Sequence, residues 1–175
     1  MPVGGTGAYP EQPGRWGGGA RCGMSQFLGT HQNRLDSKGR VSIPATFRDA
    51  LRAGSEDGDC AVILRPSHSH PCIEGWPIRV FNALAEPVDS LDLFSDAQDD
   101  LTTALYADAC RLDADKEGRV LLPDDLVAHA GLTDAVCFMG KGRTFQIWEP
   151  SAAAQRLLQA RERARSVTLP GKPRP

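Results

Sequence analysis

No run of the 175 residues approaches the roughly 18 consecutive apolar positions a helix needs to cross a bilayer, so a spanning helix is excluded. The first 23 residues have no apolar h-region; they are rich in Gly and Pro and do not read as a secretory signal. Cysteine is sparse and poorly placed for cross-linking: Cys22, Cys60, Cys72, Cys110 and Cys137 form no C-x-x-C pair and are odd in number. That argues against a disulfide framework and for reduced thiols in a cytoplasmic protein. No Ser/His/Asp or Cys/His nucleophile arrangement stands out, so an enzyme is not expected, nor a cofactor or small-molecule substrate. Ser67-His68-Ser69-His70-Pro71-Cys72, with Cys60 nearby, offers alternating metal ligands. Nothing elsewhere completes a tetrahedral set, so no metal is expected and the segment reads as a solvated loop. His31 and His129 stand alone and read as ordinary surface or core residues.

Net charge is also nearly missing, at -2. The sum hides segregation, and local patches rather than totals decide what a protein attracts. Between Ile78 and Arg111, Glu86, Asp89, Asp92, Asp96, Asp99, Asp100 and Asp108 face only Arg79 and Arg111. The end of the chain is basic, with Arg156, Arg161, Arg163, Arg165, Lys172 and Arg174 against Glu162 alone. Both segments read as solvated.

What the chain does have is a repeat. Leu35-Asp36-Ser37-Lys38-Gly39-Arg40-Val41-Ser42-Ile43-Pro44 returns 79 positions later as Ala114-Asp115-Lys116-Glu117-Gly118-Arg119-Val120-Leu121-Leu122-Pro123. Self-similarity at a fixed spacing sets the architecture, and here it implies two copies of one small unit. In each, Asp and Gly make a turn, because Asp bonds its own backbone two residues on and Gly tolerates positive φ. A short strand follows (Arg40 to Ile43, Arg119 to Leu122), then a proline and a helix (Ala45 to Arg52, Asp124 to Ala130). Phe47, Ala50 and Leu51 share one helix face. Further strands are expected at Gly29 to Leu35, Cys60 to Leu64, Cys72 to Pro77, Ala135 to Phe138 and Thr144 to Trp148. A final helix runs to about Arg165, with Ser151 as N-cap. The connector reads as broken helix with Val80, Leu84, Leu91, Leu101 and Leu105 as its apolar positions. Trp76 and Trp148 end matching strands and suit unit or subunit interfaces; Leu157, Leu158 and Ala164 suit docking on a neighbour.

A unit this small cannot bury enough apolar surface alone, so the two are expected to share a core. Their Gly-Arg turns then present Arg40 and Arg119 near each other. A planar guanidinium on a rigid turn suits phosphate oxygens or the O6/N7 edge of guanine, and Lys38 and Lys116 add point charges for phosphate. Asp36–Arg40 and Asp115–Arg119 also read as ion pairs spanning their own turns. Both readings hold together if the Asp orients the Arg.

At these residues the chain resembles the MraZ family of bacterial transcriptional regulators. Phe27-Leu28-Gly29, Asn33 to Ala45, Arg119 to Pro123 and Phe145-Gln146-Ile147-Trp148 carry the likeness, which runs from about Met24 to Ala164. The resemblance implies an α+β fold of two tandem AbrB-like (swapped-hairpin β-barrel) units related by pseudo-two-fold symmetry, with flanking helices. The expected divisions are a disordered extension (1–23), the first unit (24–77), a helical connector (78–110), the second unit (111–150), and a terminal helix with basic tail (151–175). It also implies a cytoplasmic, nucleoid-associated regulator, typically a repressor, of the division and cell-wall operon. As a ring-shaped homo-oligomer it would bind direct repeats in upstream double-stranded DNA. DNA contact then falls to Lys38 and Arg40, with Arg119, Arg34 and Lys116; Asp36, Gly39, Asp115 and Gly118 shape the turns. Two departures stand out. Glu117 occupies the place of Lys38, so the second turn is expected to contribute less DNA affinity. The N-terminal extension is absent from the family pattern, and is read as a misplaced start ahead of Met24 rather than a DNA-touching arm with Arg15 and Arg21. The rival expectation is a protein-interaction or antitoxin-like module of the same fold without specific DNA binding.

Overall fold

Strand β1 (Thr30–Arg34) alternates exposed and half-buried positions, the period-two pattern of a strand covered on one face. The structure, a computed structural model, describes residues 26–92 and 95–167. The extension 1–23, Cys22, Lys172 and Arg174 lie outside the described residues.

After β1 come β2 (Arg40–Ser42), helix α1 (Ala45–Ala53), β3 (Ala61–Pro66) and β4 (Ile73–Trp76). The connector holds α2 (Ile78–Asn82), α3 (Ala85–Asp89) and α4 (Asp96–Tyr106). The second copy repeats the plan as β5 (Cys110–Asp113), β6 (Arg119–Leu121), α5 (Asp124–His129), β7 (Ala135–Gly140) and β8 (Phe145–Trp148), and α6 (Pro150–Ala164) closes the chain. Pro44 and Pro123 take nearly the same extended backbone (φ -52 and -58°), end the strand before them and cap the helix after them.

All strand pairs are antiparallel. One sheet has the order β1-β7-β8-β4-β3-β5, and β2 pairs with β6 in a separate two-stranded ribbon. Exchange each strand of the first copy for its counterpart in the second, and the large sheet keeps its order, read from the other end. Each copy's first strand lies against the other copy's third: β1 on β7 and β5 on β3.

The main core fills the space between ribbon, helices α1 and α5, and one face of the large sheet. Val41 and Val120 come from the ribbon, Phe47 and Leu51 from α1, and Val62, Ile73, Val136, Phe138 and Ile147 from the sheet. Phe47 is the hub, with ring centroids 5.2 Å from Phe27, 5.3 Å from Phe145 and 6.2 Å from Phe138. On the other sheet face, Trp148, Cys72, Cys137 and Met139 pack against Ala153 of α6. Cys60, Cys72, Cys110 and Cys137 are free thiols, and burial pushes that of Cys72 up to about 12.

Three details differ from the sequence reading. None of Val80, Leu84, Leu91, Leu101 and Leu105 is fully buried; among the described residues of the connector Phe81 and Val88 are the buried ones, Phe81 lying edge-on to Trp76 and Tyr106. A five-residue helix packs through one or two anchors, and the large ring outcompetes the aliphatic positions beside it. Glu149, not Ser151, caps α6: its carboxylate accepts from the N–H of Ala152 at 2.9 Å, while the Ser151 hydroxyl donates to the same carboxylate. Leu157 of α6 packs on the cluster of its own chain rather than on a neighbour, and Leu158 stays exposed, while Trp148 lies against Cys72 and His70 of the first copy, at a unit interface as expected.

Candidate nucleic-acid interface

Each turn is built by its aspartate. Oδ1 of Asp36 accepts from the backbone N–H of Lys38 and of Arg40, both at 2.9 Å, and Oδ2 accepts from Nε of Arg40 at 2.8 Å. The backbone closes at both ends, with Gly39 N–H on the Asp36 carbonyl and Asp36 N–H on the Arg40 carbonyl, each 3.0 Å. Gly39 sits at φ 77°, in the left-handed region that side chains with a Cβ resist. The second turn reproduces this: Asp115 Oδ1 accepts from Glu117 and Arg119 N–H at 2.9 Å, Oδ2 from Arg119 Nε at 3.0 Å, and Gly118 has φ 77°. Asp36 and Asp115 thus both shape the loop and aim the guanidinium. The Arg40 N–H, followed by its guanidinium and the Lys38 N–H, holds the Asp36 carboxyl below its ordinary value. The Arg119 N–H and guanidinium do the same for Asp115.

The ribbon decides where these arginines meet. Arg40 stands opposite Leu121, Val41 opposite Val120, and Ser42 opposite Arg119. Alternation sends Val41 and Val120 into the core, leaving Arg40, Ser42, Arg119 and Leu121 together on the outer face. Arg40 and Arg119 are diagonal neighbours, which places their Cα atoms about 7–8 Å apart. Their side chains are 39% and 36% exposed, so both guanidinium groups reach solvent.

The two cations are not equivalent. Arg119 pairs with Glu117 as well as Asp115, and its hydrogen bond to Asp115, then the charges of Asp115, Glu117 and Asp36, hold its proton more tightly than usual. Among the described residues the ion-pair partner recorded for Arg40 is Asp36 alone. Lys38 is exposed beside a shallow groove lined by Leu112, Leu121 and Pro123. Lys116 is exposed on the second turn, and Arg34 is exposed at the end of β1, opposite Ala135. The structure therefore joins Lys38, Arg40, Lys116 and Arg119 on the two turns and ribbon, and places Arg34 on the neighbouring strand.

Sequence reasoning missed Arg48. From α1 its Nη1 donates to the carbonyls of Ile43 (3.2 Å) and Glu117 (3.5 Å), bracing the second turn from the first copy. A Cβ on Gly118 would stand 2.4 Å from Arg48 Cδ, so that glycine also makes room for the brace. The repeat gave no signal for it, because its counterpart is the apolar Val127.

The family model described as "MraZ protein, putative antitoxin-like" matches residues 26–103 and 105–165. A protein of Gluconacetobacter diazotrophicus named "Transcriptional regulator MraZ" is 64% identical over 151 residues, covering 86% of this chain and 96% of its own. One of the same name from Gluconobacter oxydans is 61% identical, with 86% and 92% covered. Another from Xanthobacter autotrophicus is 40% identical, with 82% and 90% covered.

Proposed function

The chain belongs to the MraZ family, and on that premise we propose that it is a transcriptional regulator, not an enzyme, that binds specific double-stranded DNA through the outer face of its ribbon. One observation carries this reading: two Asp-oriented arginines lie side by side on a two-stranded ribbon. A ribbon of that width enters a major groove, where arginine bonds the O6/N7 edge of guanine bidentately. Arg40 reads bases, Lys38 and Arg34 neutralise phosphate, and Arg119 and Lys116 contribute less because Glu117 stands between them. The matched strand order and the exchange of β1 and β5 support tandem AbrB-like swapped-hairpin units, 24–77 and 111–150, joined by the connector 78–110. We place its action at direct repeats upstream of the division and cell-wall operon, as a ring-shaped homo-oligomer that represses from the nucleoid.

Fluorescence anisotropy of the full chain with duplex from upstream of its own gene, against a scrambled duplex, tests this. Selective binding that weakens steeply with salt is expected, since phosphate contacts release counterions. Equal weak binding to both duplexes by folded protein would favour the antitoxin-like interaction module instead.

A further inference from the structure

Resting on that DNA-binding reading, we propose that Leu121 is a base-reading residue whose side chain takes the 5-methyl group of a thymine next to the base held by Arg40. Leu121 is 59% exposed. Single exposed apolar residues are ordinary, so exposure alone says little. Its position says more. Among the described residues it is the large exposed apolar side chain that stands on a strand, and it shares the outer ribbon face with both arginines. It lies directly across from Arg40, where Cβ atoms of opposed residues are about 5 Å apart. A Cβ on Gly39 would touch its Cδ1 at 3.6 Å, so the leucine also lies over the tip of the first turn.

The thymine methyl is the one apolar group that a base pair shows in the major groove, and apolar side chains are its complement. A guanidinium and an isobutyl group carried on opposed ribbon positions match neighbouring bases: one donates to guanine, the other covers a methyl. The counterpart of Leu121 in the first copy is Ser42, which stands across from Arg119. The pseudo-symmetric ribbon therefore carries one Arg–Leu row and one Arg–Ser row. The Arg–Leu row takes its arginine from the first copy, free of Glu117, and its leucine from the second. Both copies thus enter one reading head, and the second matters even though its own arginine is held by two carboxylates.

The full chain would first enrich a duplex from a random-sequence pool, which is then synthesised with thymine or with deoxyuridine at every thymine position. Wild type is expected to bind the uracil duplex about fourfold more weakly per methyl read, the effect of burying one such group. Leu121→Ser, which copies the first unit, is expected to bind thymine DNA about fourfold more weakly and to lose the uracil effect. Wild-type indifference to uracil, or a Leu121→Ser variant still sensitive to it, overturns the proposal. If that variant folds poorly or changes mass, the wild-type uracil comparison still decides. Failure of the underlying reading looks different: no duplex is enriched, or Arg40→Ala binds the enriched duplex as wild type does.

Discussion

At the scale of single residues, the two turns use one carboxylate each for two jobs, and this fixes their response to pH. Asp36 and Asp115 have folded pKa values below their unfolded ones. The stability they contribute is therefore complete above about pH 4 and is lost only as pH falls through the depressed folded value. The melting-temperature gap between wild type and Asp36→Asn should be constant from pH 5 to 8 and close below about pH 4; a gap that changes near neutrality would contradict this origin. Charge at the neighbouring position is the other residue-scale lever. Glu117→Lys, which restores the pattern of the first turn, should tighten DNA binding and steepen its salt dependence by about one phosphate contact. Arg40→Ala should weaken specific binding about tenfold to a hundredfold without altering the mass of the protein, and Arg119→Ala less. Equal losses would remove the asymmetry assigned to Glu117. The turns were legible because the aspartate hydrogen bonds that close each of them span only five consecutive residues. Arg48 was not, because its partner Glu117 is 69 positions away and only the fold brings them together.

At the scale of elements, local pattern was enough for most strands and helices, but not for β5, which begins at Cys110 inside the expected helical connector, nor for what holds the connector. Alternation placed Val41 and Ile43 in the core, and the i, i+3, i+4 spacing placed Phe47, Ala50 and Leu51 there. The connector instead depends on Arg65, a buried cation that composition does not reveal. Its guanidinium pairs with Glu74 on the adjacent strand at 3.0 Å and donates to the Ala104 carbonyl at 2.9 Å, fastening α4 to β3. The Arg65 side chain is only 3% exposed. Removing one member of such a pair leaves a buried charge uncompensated, so Arg65→Ala should cost about 3–5 kcal/mol in chemical denaturation and speed amide exchange in α4 first. The sheet makes a similar demand at Gly75, whose register partner is Phe145. A Cβ there would stand 2.3 Å from the Phe145 ring, which is itself wedged among Phe27, Phe47 and Phe138. Gly75→Ala should cost at least 1–3 kcal/mol by overpacking, whereas Gly58, with nothing within 4 Å of a Cβ, has no such clash.

At the scale of the whole molecule, the 79-residue spacing announced two copies but not how they share strands, since a period records likeness and strand pairing is a matter of which edges meet. The pairing has a consequence for function. On the proposed reading, neither copy owns a complete DNA-facing surface, because β2 and β6 form one ribbon, and each chain offers a single small reading face. A face of two arginines and a few flanking cations on a protein of net charge -2 should bind one site weakly. Strong binding then needs several chains on several sites, where the second contact is made at the high effective concentration set by the first. A duplex carrying two copies of the enriched site at their natural spacing should accordingly bind at least about a hundredfold more tightly than a duplex with one. Shifting one copy by half a helical turn should erase that gain, because the second face then points away from its site. Equal affinity for one-site and two-site duplexes would mean that a single ribbon supplies all the binding energy, and that the proposed ring is not needed to hold DNA.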